Sequence, residues 1–211
     1  EQTSDRDGAA WDTEPRTQAV DAHEKVGLEE RKARYGQNPM TVLITGLSGS
    51  GKTTTAYALE RKLFEAGRAV AVLDGANMRH GISRDLGFSA EERSENLRRS
   101  SEVAKLFNDN GLLCIAAFVA PSEEVRQRAR LLIGEERFVV VHLDCPPEVC
   151  RERDQEGLYG AAEKGEIPNF PGVSFQYERP PHADLVVDTS KTTVAESVDA
   201  IVALLTDKGA L

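Results

Sequence analysis

The feature that most constrains this chain is Gly46-Leu-Ser-Gly-Ser-Gly51-Lys52-Thr53, which directly follows the apolar run Val42-Leu-Ile-Thr45. It matches the G-x-x-x-x-G-K-[ST] phosphate-binding loop and lies where such a loop works, between a buried strand and a helix. Glycines let backbone N–H groups turn inward around phosphate oxygens. A helix beginning near Lys52 aims its positive dipole end at the same anion. Gly46, Ser48, Gly49, Ser50, Gly51, Lys52, Thr53 and Thr54 are therefore the candidate ligands of a nucleoside triphosphate. Lys52 is placed to reach the β- and γ-phosphates, and the Thr53 hydroxyl to hold Mg²⁺. A glycine-rich turn followed by a chance Lys-Thr would not account for the strand–loop–helix context.

The 211 residues suffice for one α/β domain with a full core and a short appendage. A formal net charge of −9 argues against a nucleic-acid or anionic-membrane partner. An acidic protein that handles anionic nucleotides must concentrate positive charge locally, so individual arginines carry information. No apolar run approaches the roughly 18–20 residues of a membrane span, and the polar start reads as no signal peptide. Cys114, Cys145 and Cys150 lie in or beside apolar runs without metal-ligand spacing. They are expected to be reduced, buried thiols in a cytoplasmic protein.

Residues 1–22 are polar and lack apolar periodicity, so they read as a flexible extension or linker before a domain over 23–211. A start at Glu rather than Met is compatible with processing or a longer polypeptide. After a short helix at 28–34, the pattern alternates: strand 41–45, helix 52–66, strand 69–74, helix 90–110, strand 112–119. Helix 123–133, strand 138–144, a helical turn at 147–153, strand 185–187 and helix 194–205 complete it. Near-continuous apolar strands separated by helices predict an α/β fold of the phosphate-loop NTPase type, a parallel sheet with helices on both faces. The Gly- and Pro-rich stretch 154–181 is too long for an ordinary connection and is expected to be a mobile lid that excludes water during phosphoryl transfer.

The second strand ends in Asp74-Gly-Ala-Asn-Met-Arg79. Ligands of such sheets bind beyond the carboxyl ends of the strands, so this turn should face the γ-phosphate. There Asp74 can accept a hydroxyl proton or organise Mg²⁺; turn capping is the competing role. Arg79, Arg93 and Asn96 could grip an anionic acceptor, although helix arginines are more often solvated salt-bridge partners.

Taken together, the loop, Asp74-Gly-x-Asn-x-Arg79-His-Gly81, Asp85-Leu-Gly-Phe-Ser89 and Glu92-Arg-x-Glu-Asn-x-Arg-Arg99 resemble the adenylyl-sulfate kinase family. So do Val103-Ala-Lys-Leu-Phe107, Glu148-Val-Cys-x-x-Arg-Asp154, Gly157-Leu-Tyr159 and Gly165-Glu-Ile-x-Asn-Phe-x-Gly172 with Tyr177-Glu178. The resemblance implies transfer of a phosphoryl group from ATP, with Mg²⁺, to the 3′-hydroxyl of adenosine 5′-phosphosulfate. It implies that Lys52 and Asp74 are catalytic, that Thr53 and Asp74 serve the metal, and that Arg153 lies near the ATP base. Asn77, Arg79, Arg93, Asn96, Val119 and Ala120 would line the acceptor site, with Phe88 and Phe170 sandwiching its adenine. A homodimer and a fused or associated ATP sulfurylase are further implications.

The chain departs from the family pattern at five positions. Ala76 replaces a second Asp, Ala120 a Ser, Glu156 and Pro168 a Lys each, and Pro171 a Thr. Alanine has no hydroxyl, so a phosphoserine relay at position 120 is impossible and transfer must be direct and in line. The lid changes remove two positive charges near polyanionic ligands, so weaker affinity or altered lid kinetics is expected. Two other readings stay open at this point. One is a degenerate nucleotide-binding module that serves assembly or regulation of a sulfate-activating protein. The other is a kinase for a different small metabolite.

Overall fold

The computed structural model describes residues 25–211; the extension read at 1–22 lies outside the described residues. Five strands, β1 (Thr41–Thr45), β2 (Val70–Asp74), β3 (Leu113–Ala117), β4 (Phe138–Asp144) and β5 (Leu185–Asp188), form one sheet in the order β2-β3-β1-β4-β5. Every pairing is parallel, with Thr41 opposite Cys114 on one side and Phe138 on the other. This architecture was legible because the strands are apolar on both faces. Along β1, Val42 and Ile44 enter one apolar cluster and Leu43 the other. Parallel neighbours cannot be joined by a tight hairpin, so crossover connections must return the chain.

Helices α2 (Lys52–Glu65) and α7 (Val194–Asp207) cover one face through Ala56, Leu59, Leu63, Val198, Ile201 and Leu205. Helices α3 (Ala90–Asp109) and α4 (Glu123–Ile133) cover the other through Leu97, Ala104, Ala129 and Ile133. Two of these helices start at reciprocal caps, Ser89 with Glu92 and Thr193 with Glu196, which fix the entry of α3 and α7. None of the described helices is long and apolar enough to cross a membrane. All three cysteines are free and buried, and burial pushes the Cys114 thiol up to about 12.

The stretch 154–181 departs from expectation. It contains a helix, α6 (Leu158–Glu163), next to the short α5 (Pro147–Glu152). Tyr159 and Ala162 from α6 join Phe170, Cys145 and Cys150 in a third apolar cluster, with Leu47 packed against it. Asp154 Oδ2 accepts the Tyr159 N–H at 2.8 Å and so holds the first turn. Six residues between Gly157 and Gly165 show too little periodicity for the helix to be visible beforehand.

At the end of the sheet remote from the phosphate loop, a buried Gln37 joins three chain segments. Its Nε2 donates to Ala69 O (2.8 Å) and Gly111 O (2.9 Å), and its Oε1 accepts from Ala69 N (3.0 Å). A leucine there would leave those groups unpaired in a dry environment, at a cost of about 3 kcal/mol. Gln37→Leu is therefore expected to lower unfolding stability by that order in urea titrations while leaving nucleotide affinity at the phosphate loop unchanged. A shift in that affinity would show that the two ends of the sheet are coupled.

Candidate active site

The phosphate loop connects β1 at the centre of the sheet to α2. Gly49 is held at φ +79°, where a Cβ would lie 2.4 Å from the Cys150 carbonyl oxygen, so the loop approaches α5 more closely than any side chain permits. Gly51, at φ +94°, precedes the first turn of α2 and turns the backbone into the helix. The loop is braced from outside. Tyr159 Oη donates to Ser48 O at 2.8 Å, and Thr189 Oγ1 to Ser50 O at 3.0 Å. Arg153 Nη2 in turn donates to Thr189 O at 2.8 Å, which places Arg153 at the β5 side of the loop. Thr54 is exposed at the start of α2.

Inside the loop, Lys52 Nζ donates to Leu47 O at 2.7 Å. Burial pushes its ammonium down to about 8; the Asp74 carboxylate opposes that fall and the Arg93 guanidinium adds to it. A cation so poorly solvated gains strongly from an anion.

Asp74 has two distinct duties. Its Oδ1 accepts from Ala76 N (2.9 Å) and Asn77 N (3.1 Å), which caps the turn after β2. Its Oδ2 accepts from Thr53 Oγ1 at 2.6 Å, across the loop. Asp74 thus caps the turn with one oxygen and faces the phosphate loop with the other. Ala76 contributes a backbone N–H, so replacing a family Asp leaves this turn intact. Thr53 and Asp74 offer two hard oxygen donors, which suits a divalent cation that completes its shell with phosphate and water. No group of three or more His, Cys, Asp or Glu that could cage a metal occurs among the described residues.

Beyond Asp74, Arg79 Nη1 and Asn96 Nδ2 both donate to Gly75 O, at 2.8 and 3.2 Å. Asn96 Oδ1 is buried without a partner and so is available to a ligand donor. Arg79 and Arg93 lie over the half-exposed Phe88 ring, at 4.6 and 5.3 Å from its centroid. Burial, reinforced by the Arg79 charge, brings Arg93 down to about 10. The contrast within α3 is informative. Arg98 and Arg99 are ion-paired to Glu95, and Arg99 also to Asp85, as solvated helix arginines usually are. Arg79 and Arg93 take part in none of the ion pairs found among the described residues. Asn77, exposed, donates from Nδ2 to Tyr57 Oη at 3.0 Å.

Two sequence-derived site residues are not brought together. Phe170 is 3 % exposed and packs edge-on against Tyr159 with centroids 5.1 Å apart, whereas Phe88 stands under the two arginines. The Phe170 ring is covered by Tyr159, whereas the Phe88 ring meets only the two guanidiniums and stays half-exposed. Val119 and Ala120 form the turn after β3: Val119 O accepts from Thr45 Oγ1 at 2.6 Å, and Ala120 has φ +42°. Sequence reasoning missed Thr45, at the end of an apolar run, Thr189, one of several hydroxyls in the polar stretch 188–193, and Arg126, whose i−3 spacing to Glu123 looks like an ordinary surface pair. A cavity of about 240 Å³ between the end of β4 and residues 172–179 is lined by His142, Asp144, Tyr177 and Arg179, and touches neither Asp74 nor the arginine pair.

The chain as a whole resembles known proteins. The adenylylsulphate kinase family model matches residues 38–188. An adenylyl-sulfate kinase of Shewanella pealeana is 51 % identical over 176 residues, 83 % of this chain and 86 % of that protein. A bifunctional enzyme CysN/CysC of Rhodopirellula baltica is 57 % identical over 202 residues, 95 % of this chain; the match spans 31 % of that longer protein. Among solved structures, the Mycobacterium tuberculosis APS kinase CysC in complex with AMPPNP and APS superposes with a TM-score of 0.77 at 42 % identity, covering 81 % of this chain and 99 % of that one. With the family model matching residues 38–188 and relatives about half identical over most of their length, this chain belongs to the adenylyl-sulfate kinase family.

Proposed function

We propose that the chain transfers the γ-phosphoryl group of ATP to the 3′-hydroxyl of adenosine 5′-phosphosulfate, yielding ADP and 3′-phosphoadenosine 5′-phosphosulfate. The observation that carries this reading is charge placement. Lys52 and the loop N–H groups can bind one polyanion, while the separate Arg79–Arg93 pair, flanking an aromatic ring, can bind another. Between them stands Asp74 Oδ2, one hydrogen bond from Thr53. A carboxylate there can orient the acceptor hydroxyl and take its proton as the bond to phosphorus forms. Lys52 neutralises charge on the moving group, and the loop N–H groups stabilise the same oxygens without reorganising.

Thr53 and Asp74 would hold Mg²⁺, which when bound with ATP neutralises phosphate charge. Ala120 offers no hydroxyl, so the phosphoryl group passes from donor to acceptor in one step. Phe88 would stack on the acceptor adenine, and Phe170 would complete that contact by leaving the Tyr159 cluster as residues 154–181 close over the site as a lid. Arg153 would lie beside the ATP base. A homodimer remains part of the proposal. So does a fused or associated ATP sulfurylase, for which the longer bifunctional relative is the support. A cytoplasmic setting rests on the three free cysteines.

A coupled assay with ATP and adenosine 5′-phosphosulfate tests the reaction: ADP release that depends on the phosphosulfate is expected, and turnover only with another acceptor would refute it. Asp74→Asn is expected to lower kcat by about 10²-fold or more. Its remaining carbonyl oxygen can still accept the two turn N–H groups, so the melting temperature should change little. An unchanged kcat would reduce Asp74 to a turn residue. Arg79→Ala and Arg93→Ala should each raise the dissociation constant for the phosphosulfate about tenfold or more, from loss of charge-assisted hydrogen bonds worth roughly 1.5–3 kcal/mol. ATP affinity, measured by the same calorimetric titration, should move less; equal losses for both nucleotides would contradict the assignment.

A further inference from the structure

The bulkiest side chain among the fully buried residues is charged: Arg126, 1 % exposed, on the first turns of α4. Its guanidinium places four of its five N–H groups on three chain segments. Nε and Nη2 donate to Glu123 Oε2 at 2.9 and 2.7 Å, Nη1 to Ala120 O at 2.6 Å, and Nη2 to Glu178 O at 2.8 Å. The same segments are laced together around it. Glu178 N donates to Pro121 O at 2.8 Å, and Glu123 N to Glu178 Oε2 at 2.7 Å. One residue earlier, Tyr177 Oη lies 3.1 Å from Thr45 Oγ1, which itself donates to Val119 O. The turn after β3, the residue before the phosphate loop and the end of the 154–181 segment thus form one bonded unit.

Two features set this unit apart from a core staple. Burying a guanidinium against a carboxylate that stays partly exposed is a poor way to gain stability, since a well-packed apolar group of similar volume does as well or better. And the turn that Arg126 grips contains Ala120 at φ +42°, a left-handed conformation that alanine adopts only where its surroundings impose it. Strain of this kind collects at ligand clamps.

We propose that Arg126 is a positioning residue for the acceptor: it holds the Val119–Ala120 turn in its left-handed form and fastens that turn to the end of the lid segment. Acceptor binding and closure of the 154–181 segment are then coupled through one guanidinium. The inference rests on the reading of Val119 and Ala120 as acceptor-lining residues.

Steady-state kinetics and amide hydrogen exchange on the full chain test it. Arg126→Met removes every bond; Arg126→Lys keeps the charge but cannot span Ala120 O and Glu178 O as a fork. Both are expected to raise KM for adenosine 5′-phosphosulfate about tenfold, with KM for ATP held within about twofold. Tyr177→Phe, which deletes one hydroxyl from the same lid end, should raise the same KM about threefold and carries the test should both Arg126 variants misfold. In the wild type, adding ADP with the phosphosulfate should protect the amides of Val119 and Ala120 together with those of 172–178; in the variants the two protections should separate. Variants that melt earlier but keep the wild-type KM values and joint protection overturn the inference and leave Arg126 a structural staple. If the wild type itself fails to phosphorylate adenosine 5′-phosphosulfate, the functional reading falls and this inference with it; wild-type turnover with unmoved variants sinks this inference alone.

Discussion

The rest of this structure depends on keeping a set of backbone N–H groups and one ammonium available to an anion beyond the carboxyl end of the central strand. The phosphate loop follows the central strand, so β3 and β4 flank it and α2 rises directly from it. Its own residues cannot pack it in place, being mostly Gly and Ser. The bracing comes from outside: Tyr159 on Ser48, Thr189 on Ser50, and the Cys150 backbone against Gly49. Each brace takes a loop carbonyl or fills the space of an absent Cβ, and leaves N–H groups for phosphate. Preorganised donors of this kind act on the transferring group without a cost of reorganisation during the reaction.

Electrostatics complete the argument. The chain is acidic overall, yet Lys52, Arg79 and Arg93 are gathered at one sheet end without the ion pairs that neutralise most other arginines of α3 and α4. The lowered proton affinity of Lys52 and Arg93 records the resulting tension, since burial and mutual repulsion both disfavour the charged forms. Two polyanionic nucleotides would relieve it. Two of the five departures from the family pattern are mild in this light. Ala76 supplies a backbone N–H that any residue has, and Ala120 forbids a covalent relay without touching the groups that stabilise a direct transfer.

Much of this was legible beforehand, for identifiable reasons. The continuous apolar runs at 41–45, 113–117 and 138–144 are short, bounded and buried on both faces, which leaves little but a parallel sheet. The loop motif and the Asp74 turn lie at strand ends, where an α/β sheet puts its ligands. What stayed hidden was non-local or too short to be periodic. Helix α6 has six residues between glycines. Phe170 reads as a free aromatic in a polar loop, yet it packs on Tyr159. Arg126 has the spacing of a surface pair, and only the return of Tyr177 and Glu178 from fifty residues downstream reveals that it is buried.

The account's central claim, a single in-line transfer to the phosphosulfate acceptor, can be measured directly from the stereochemistry at phosphorus. The protein would be supplied with ATP chiral in isotopic oxygen at the γ-phosphoryl group and with adenosine 5′-phosphosulfate, and the configuration of the 3′-phosphoryl group read in the product. One displacement inverts the configuration, and that is the predicted result. Retention would require a covalent relay on the protein and would contradict the account.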